Sequence, residues 1–327
     1  MKIINSLIVL MIFYTTLIAE PIAKKDGFGG YVALGVTTMQ LQSNMIAGTA
    51  FDDDMTNDKI DNLTDKADKT TTNGLSFNFN LKYTLADIQT EFFVGEKVED
   101  ILLLDSNLKF GIRKDFENIG IVEIAGITSA ISTKVYKDPY AIDSSRDVTD
   151  KTSTGILLKL ESILDSNFDI KFEFRKFNID DEESARDYEL NREGDMAQLS
   201  LAYTLNIERN EFLKTTLEYS DYNLDGDAMK HKRIALELNY LYVGKDWSFI
   251  VIGSVADDFY KNKNILFNDK ADALIYGGSV TAMYVDPFEL SDKLSFTATV
   301  STFIHNSDIN FYDASVAFLN LGVLYRF

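Results

Sequence analysis

The chain has 327 residues, of which 51 are acidic and 32 basic, with a formal net charge of −19 and no cysteine. This sign of charge argues against nucleic acid as a partner, because proteins that bind nucleic acid present a basic surface. Without cysteine, both disulfides and a lipid attached at a signal-peptide cysteine are excluded.

The chain begins with a pattern typical of a secretory signal peptide, MKIINSLIVLMIFYTTLIAE. Lys2 supplies a positive start, Leu7 to Ile18 form a short apolar core, and Ala19 is a suitable residue before a cleavage site. We expect residues 1–19 to be removed, although an uncleaved anchor helix is the alternative. No later stretch reaches the ~18 apolar residues that a membrane helix needs. Residues 20–327 show no linker or repeat and are interpreted as one domain, either soluble and periplasmic or a membrane barrel.

The following elements alternate apolar and polar residues with the period of two that is typical of β-strands. Clear examples are LSFNFNLKYT (75–84), FDIKFEFR (168–175), RIALELNYLY (233–242) and LSFTATVST (294–302). A soluble β-sandwich also shows this alternation. A barrel is favoured because the strands are about 9–11 residues long, and because charges of opposite sign recur on the polar face, as at Lys171, Glu173 and Arg175.

The gaps between the strands alternate in length, as they do in outer-membrane barrels. Short turns are expected at 86–87, 117–118, 165–166, 209–210, 245–246 and 287–292. Long connections are expected at 46–73, 134–151, 180–195, 224–230, 261–272 and 306–313, with a shorter one near 99–100 in the same set. We therefore predict an all-β, antiparallel transmembrane β-barrel of about 14 strands, with 12 as the main alternative. Long loops face outward, and short turns and both termini face the periplasm.

The last strand, LNLGVLYRF, keeps its alternation to the final residue. The ending Tyr325-Arg326-Phe327 resembles the assembly signal of bacterial outer-membrane proteins, and this resemblance implies recognition by the barrel-assembly machinery. Several stretches more narrowly resemble a Gram-negative family known as domain of unknown function family 2860. They are GFGGYVALGV, SNMIAG, KDPY (137–140), DVTDKTSTG (147–155), LDGDAMK (224–230) and the terminal INFYDASVAFLNLGVLYRF. The resemblance implies a barrel in the outer membrane of a Gram-negative bacterium, and no activity.

Charged residues on the polar faces of the strands are the predicted pore lining. A wet, selective lumen is one interpretation, and a cross-linked ionic interior that conducts poorly is the other. The predicted residues are Lys82, Glu91, Lys109, Arg113, Lys159, Glu161, Lys171, Glu173, Arg175, Lys214, Glu218, Arg233 and Glu237.

Two acidic segments are candidate cation sites. DYNLDGD matches the first half of a calcium loop, with Asp221, Asn223, Asp225 and Asp227 as ligands, but Lys232 stands where a bidentate glutamate is needed. The alternative is a hairpin loop turned by an Asp-Gly pair. The segment 51–68 contains seven aspartates and predicts either a collector of divalent ions shared with lipopolysaccharide or a solvated, mobile loop.

The predicted function is a monomeric outer-membrane channel for passive diffusion of small polar solutes, weakly selective for cations. The alternative is a non-conducting barrel for envelope structure or surface interaction. A hydrolase is a minor alternative, since His305-Asn306-Ser307 resembles the motif of outer-membrane phospholipases. The strand register turns His305 toward the lumen, away from lipid, so we expect no enzyme. No cofactor is expected beyond calcium at the outer loops, and the expected partners are outer-membrane lipid, lipopolysaccharide and the assembly machinery.

Overall fold

The computed structural model describes residues 21–49, 52, 54–100, 104–184 and 189–327. The predicted signal peptide and Asp53 of the acidic segment lie outside the described residues. No helix among the described residues has the length and apolar character needed to cross a membrane.

Sixteen antiparallel strands occur in the described part of the chain, and fourteen of them close into a barrel. The barrel strands are β1 (Gly27–Gln42), β3 (Thr70–Leu85), β4 (Thr90–Asp100), β5 (Asp105–Phe116), β6 (Gly120–Ile131), β8 (Val148–Glu161), β9 (Phe168–Ile179), β10 (Gly194–Glu208), β11 (Glu211–Leu224), β12 (His231–Val243), β13 (Trp247–Tyr260), β14 (Ala273–Val285), β15 (Leu294–Ser307) and β16 (Ala314–Arg326). The two others, β2 (Ile46–Thr49) and β7 (Thr133–Tyr136), belong to the long-loop end. The prediction of fourteen strands is confirmed.

Closure occurs between the first and last strands, because β1 pairs with β16 along twelve residues, from Tyr31↔Arg326 to Gln42↔Ser315. Pairing of β8 with β9 joins the two halves of the sheet on the opposite side. Every barrel strand therefore has two hydrogen-bonded neighbours, and no edge is left unpaired.

The barrel has an inverted distribution of side chains, with apolar residues outside and polar residues inside. In β12, Ile234, Leu236 and Leu238 are exposed, whereas Asn239 is buried on the inner face. In β9, Phe172 is exposed while the adjacent Glu173 is fully buried. Water would penalise such an arrangement, so the outer surface matches hydrocarbon, as in outer-membrane barrels.

The two ends of the barrel differ as predicted. One end has short turns, several of them single 3-10 turns such as Ala86–Ile88, Ile163–Asp165 and Pro287–Glu289. Aromatic rings surround this end, with Trp247 stacked 4.9 Å from Tyr284 between ring centroids. The other end carries the long connections, which include the 3-10 turns Asp227–Met229 and Asn310–Tyr312. We call these the periplasmic and the outer end.

Candidate functional site

The periplasmic half of the lumen holds a network of ion pairs on the wall from β3 to β11. Arg113 on β5 lies at its centre, with its guanidinium 2.9 Å from Glu91 and 3.0 Å from Glu161. Further pairs join Lys109 to Glu123 at 2.7 Å, Lys159 to Glu161 at 3.1 Å, Lys171 to Glu173 at 3.4 Å, Arg175 to Glu173 at 2.9 Å, and Lys214 to Asp169 at 2.6 Å. These contacts form because the alternation of each strand aims its charged residues at the same interior.

The acids and the lysines of this network differ in exposure. The side chain of Glu123 is 4% exposed and that of its partner Lys109 is 22% exposed, and Glu173 at 0% and Lys171 at 17% repeat the difference. The carboxylates thus lie against the wall, while the ammonium groups reach farther into the lumen. The ion pairs cross-link this wall, and each buried charge is compensated by a partner of opposite sign.

All thirteen predicted pore-lining residues lie on barrel strands, at positions that face the interior. Glu218 accepts a hydrogen bond from Ser200 at 3.0 Å, and Asn239 donates to Glu237 at 2.6 Å. Arg233 forms a two-pronged pair with Asp258, at 2.7 and 2.9 Å. The sequence analysis did not select Asp258, although alternation along β13 places it inward with Ala256. Whether these residues line a conducting pore stays a prediction.

The opposite wall carries many small hydroxyl and amide side chains, beside an apolar cluster of Ile250, Ile252 and Met283. Asn320 on β16 is fully buried and donates to Thr37 at 2.5 Å and to Ser76 at 2.6 Å. Thr281 and Thr299 share a hydrogen bond of 2.9 Å between β14 and β15. The lumen therefore has one ionic wall and one neutral polar wall.

The outer end of the lumen is closed by the chain itself. The described residues of 43–69 turn inward after β1, and β2 pairs with β7, with Ile46 opposite Val135 and Thr49 opposite Thr133. Ile46 and Met55 pack against Ala256, Ile275 and Phe303 on the wall formed by β13, β14 and β15. The acidic segment is thus not simply a solvated loop, because Met55 is buried in the barrel mouth and Ile60 and Leu63 are partly buried against the cap core.

We call the described residues of 43–69, 137–147, 225–230, 261–272 and 308–313 the outer cap. Its centre is aromatic: Phe311 is fully buried, 5.3 Å from Tyr140 and 5.6 Å from Phe267 between ring centroids. The hydroxyls of Tyr140 and Tyr312 lie 2.6 Å apart, and Asn264 donates to Tyr312 at 2.6 Å. Burial raises the pKa of Tyr140 to about 12. Three separate loops therefore meet in one apolar core.

Arg146 ties two of the cap loops together. Its buried guanidinium donates to the carbonyls of Asn44 at 2.9 Å, Asp58 at 3.2 Å and Pro139 at 3.2 Å. It also lies 3.7 Å over the ring of Tyr136. Desolvation by burial lowers the pKa of Arg146. The guanidinium thus supplies hydrogen bonds to buried carbonyls that water cannot reach. These hydrogen bonds hold the cap loops in one packed structure.

Beneath the cap lies a cavity of about 160 Å³. Four stacked rings form one side of it, and we call Phe177, Tyr222, His231 and Tyr260 the aromatic ladder. Successive ring centroids lie 6.4, 4.3 and 4.6 Å apart, with interplanar angles of 13, 12 and 19°. Gly194 stands between Phe177 and Leu224 in the sheet, so β10 places no side chain between the first two rings. Ser43, Met45 and Ala314 line other parts of the cavity.

The predicted calcium residues are not gathered into a metal site. Asp221 and Asn223 lie on the exposed face of β11, and exposed Asp227 pairs with Lys230 at 2.7 Å. That ion pair lowers the pKa of Asp227. Among the described residues, no group of three or more acidic or histidine side chains has the geometry to hold a metal ion. Calcium at the outer loops stays a prediction, with Asp225 in the turn after β11.

The histidines are both inside the barrel at its outer end. His305 Nε2 lies 3.9 Å from Asp258, and Ser307 Oγ donates to the carbonyl of Ala271 at 3.3 Å. The predicted lumen orientation of His305 is therefore observed. The ladder position of His231 went unrecognised, because each of its stacking partners stands on a different strand.

A closed, antiparallel fourteen-stranded barrel with an apolar outer surface is the architecture of an outer-membrane β-barrel protein. Residues 27–326 match the family described as protein of unknown function (DUF2860), and the chain belongs to this family. No curated protein matches the chain at a significant level.

Among solved structures, the chain is similar to a FadL homologue from Pseudomonas aeruginosa, at 12% identity, covering 91% of this chain and 90% of the other with a TM-score of 0.49. It is also similar to the COG4313 outer membrane channel from Pseudomonas putida F1, at 11% identity, with 97% and 100% covered and a TM-score of 0.47. An anion-selective porin from Comamonas acidovorans matches at 9% identity, with 93% and 99% covered and a TM-score of 0.43.

Proposed function

We propose that the protein is a monomeric outer-membrane channel for passive diffusion of small solutes, gated by its own outer cap. The observation that supports this function most is the two-part lumen. A largely polar interior, interrupted by small apolar clusters such as Ile250, Ile252 and Met283, runs along the periplasmic half, and loops of the same chain pack together over the outer half. A lumen filled only for stability would be served equally well by apolar packing, since buried ion pairs contribute little net stability.

We further propose that the channel is weakly selective for cations. The carboxylates of the ionic wall are compensated at short range, so their distant field is small. Uncompensated acid remains at the outer mouth, where Asp54, Asp61 and Asp65 are exposed. A negative mouth raises the local concentration of cations.

The test is the reversal potential of the purified protein in a planar bilayer separating two potassium chloride concentrations. Potassium should be favoured, and the double variant Asp54→Asn/Asp61→Asn should reduce that preference. The preference should also fade in molar salt, where the Debye length falls to about 3 Å. Asp87→Asn/Asp165→Asn, at the periplasmic turns, is the matched control. A preference for chloride in the wild type would contradict the proposed cation selectivity but would still support a channel.

A non-conducting barrel is the second candidate function, and the packing of the cap favours it. Arg146 and Phe311 are buried as completely as residues of a globular core. In that case the barrel would serve the envelope or a surface partner through its acidic outer loops. Absence of conductance from folded protein, in the wild type and in a variant with a loosened cap, would support this second function.

We propose no enzymatic activity. His305 faces the enclosed lumen near Asp258, and Ser307 already donates to a backbone carbonyl, so the two do not form an exposed base and nucleophile. The proposed surroundings are outer-membrane lipid and lipopolysaccharide.

The assembly machinery is proposed to read the outward-facing Tyr325 and Phe327. Phe327→Gln should therefore lower the folded, heat-modifiable band in outer-membrane fractions, whereas Lys293→Gln in the adjacent turn should not. A folded band of equal intensity in both variants would contradict recognition of Phe327 by the assembly machinery.

A further inference from the structure

We propose that the cavity beneath the outer cap is a binding site for an uncharged monocyclic aromatic molecule bearing one hydroxyl group, such as a phenol. This inference rests on the proposed function and names a class of solute for the same lumen. The site is distinct from the ionic wall, because it lies at the outer end and is lined mainly by rings and apolar side chains.

Size is the first argument. The cavity measures about 160 Å³. A cavity of about 150 Å³ lined by apolar side chains is large enough to bind benzene. One six-membered ring with a small substituent therefore fits, and two fused rings would require the cap to move.

The shape of the lining is the second argument. The rings of the aromatic ladder are nearly parallel, and they are held in place: His231 Nδ1 lies 2.9 Å from the carbonyl of Met229. Tyr222 and Tyr260 hold the imidazole between them at 4.3 and 4.6 Å. A flat ligand meets rings that need no reordering, so it loses little affinity to conformational entropy.

Charge is the third argument, and it selects a neutral ligand. Arg233 is engaged by both oxygens of Asp258, at 2.7 and 2.9 Å. Arg192 is engaged by both oxygens of Glu182, at 2.7 and 3.0 Å. Both guanidinium groups at the cavity are therefore compensated, and the ammonium of Lys151, which also lines the cavity, lies 4.9 Å over the ring of Phe177. A carboxylate ligand would have to displace one of these contacts. A hydroxyl can instead share a hydrogen bond with the edge of the Arg233–Asp258 pair.

The experiment measures binding to folded protein in detergent by saturation-transfer NMR and calorimetry, with phenol, cyclohexanol and benzoate as probes. Phenol should bind, and cyclohexanol, which matches its size without a ring face, should bind about two- to tenfold more weakly. Benzoate should also bind more weakly than phenol. The experiment measures binding and not conductance. A negative result would therefore reject the binding site without rejecting the channel, and an absence of conductance would not reject the binding site.

Two variants localise the binding. Ala314→Leu enlarges a side chain that lines the cavity and should weaken phenol binding at least tenfold, whereas Ala317→Leu on the outward face of the same strand should leave it unchanged. Tyr222→Leu keeps the wall apolar, removes one ring and should weaken binding severalfold. Heat-modifiability shows that each variant has folded. The proposal is overturned if phenol shows no saturable binding up to about 10 mM, if benzoate binds more tightly, or if Ala314→Leu binds as the wild type does.

Discussion

At the scale of single residues, position on a strand decides which solvent a side chain meets. Leu236 and Glu237 are adjacent in sequence, yet one faces the outer surface and the other the interior. A charge introduced at Leu236 should therefore lower the free energy of unfolding far more than a charge introduced at a neighbouring inward position. This contrast makes the assignment of inside and outside testable with single substitutions.

Leu236→Arg should destabilise the barrel by about 2–4 kcal/mol, because it places a charge in hydrocarbon near the middle of a membrane strand. Thr216→Arg is the matched control, since Thr216 lies on the inner face directly opposite Glu237 on the neighbouring strand. Urea titration in lipid bilayers compares the two. Equal losses of unfolding free energy would show that the assigned faces are wrong.

Arg113→Met should cost about 3–5 kcal/mol, because it leaves Glu91 and Glu161 buried without their shared partner. Arg113→Lys keeps the charge but loses the forked geometry, so it should fall between Arg113→Met and the wild type. Chemical unfolding at neutral pH measures all three. A negligible loss in Arg113→Met would mean that water, and not the ion pairs, compensates these carboxylates.

The buried phenol of Tyr140 predicts an alkaline transition of the cap. Its pKa is about 12 in the folded protein, against about 10 for a free tyrosine. The proton is held more tightly in the folded state, so the resulting stability is complete below pH 10 and is lost as the pH rises through 12. The phenolate absorbance of Tyr140 is obtained as the difference between the wild type and Tyr140→Phe. It should titrate near pH 12 in the folded protein and near pH 10 in denaturant. A folded midpoint near 10 would contradict the packed cap.

At the scale of elements, the strands and the cap differ in how far sequence reveals them. The strands are predictable because an alternation of period two persists through each of them, and the boundaries of β9 and β12 follow from it directly. The cap carries no such period. Ile46, Met55 and Phe311 follow no regular spacing in the sequence, and their loops come together only at the mouth of the folded barrel. The aromatic ladder is hidden for the same reason, since each strand contributes one ring.

Arg146→Ala should loosen the cap without unfolding the barrel, because its contacts join loop to loop and not strand to strand. The change removes the side-chain donor to the carbonyls of Asn44 and Pro139 and the cation over Tyr136. Limited proteolysis of residues 43–69 and 137–147 should become faster, while the heat-modifiable band persists. Lys59→Ala, at an exposed cap position, is the control. Unchanged proteolysis in Arg146→Ala would show that the apolar core alone holds the cap.

At the scale of the whole molecule, the sheet performs two tasks with one alternation. Its outward residues form the lipid-facing surface, and its inward residues build the ionic wall, the neutral wall and the aromatic ladder. The loops carry apolar residues of their own, and these pack together at one end of the barrel. The fold thus suits an outer membrane, and the loops that pack together at the outer end are the gate of the proposed channel.

Conductance of single folded molecules in a planar bilayer tests the channel most directly, with wild type and Arg146→Ala measured side by side. The wild type should show infrequent, brief openings, and Arg146→Ala should open more often at the same unit conductance, because the ionic wall below the cap is unchanged. Silence from both proteins, each shown to be folded by its heat-modifiable band, would contradict the channel and leave the barrel as a structural or surface-interaction protein.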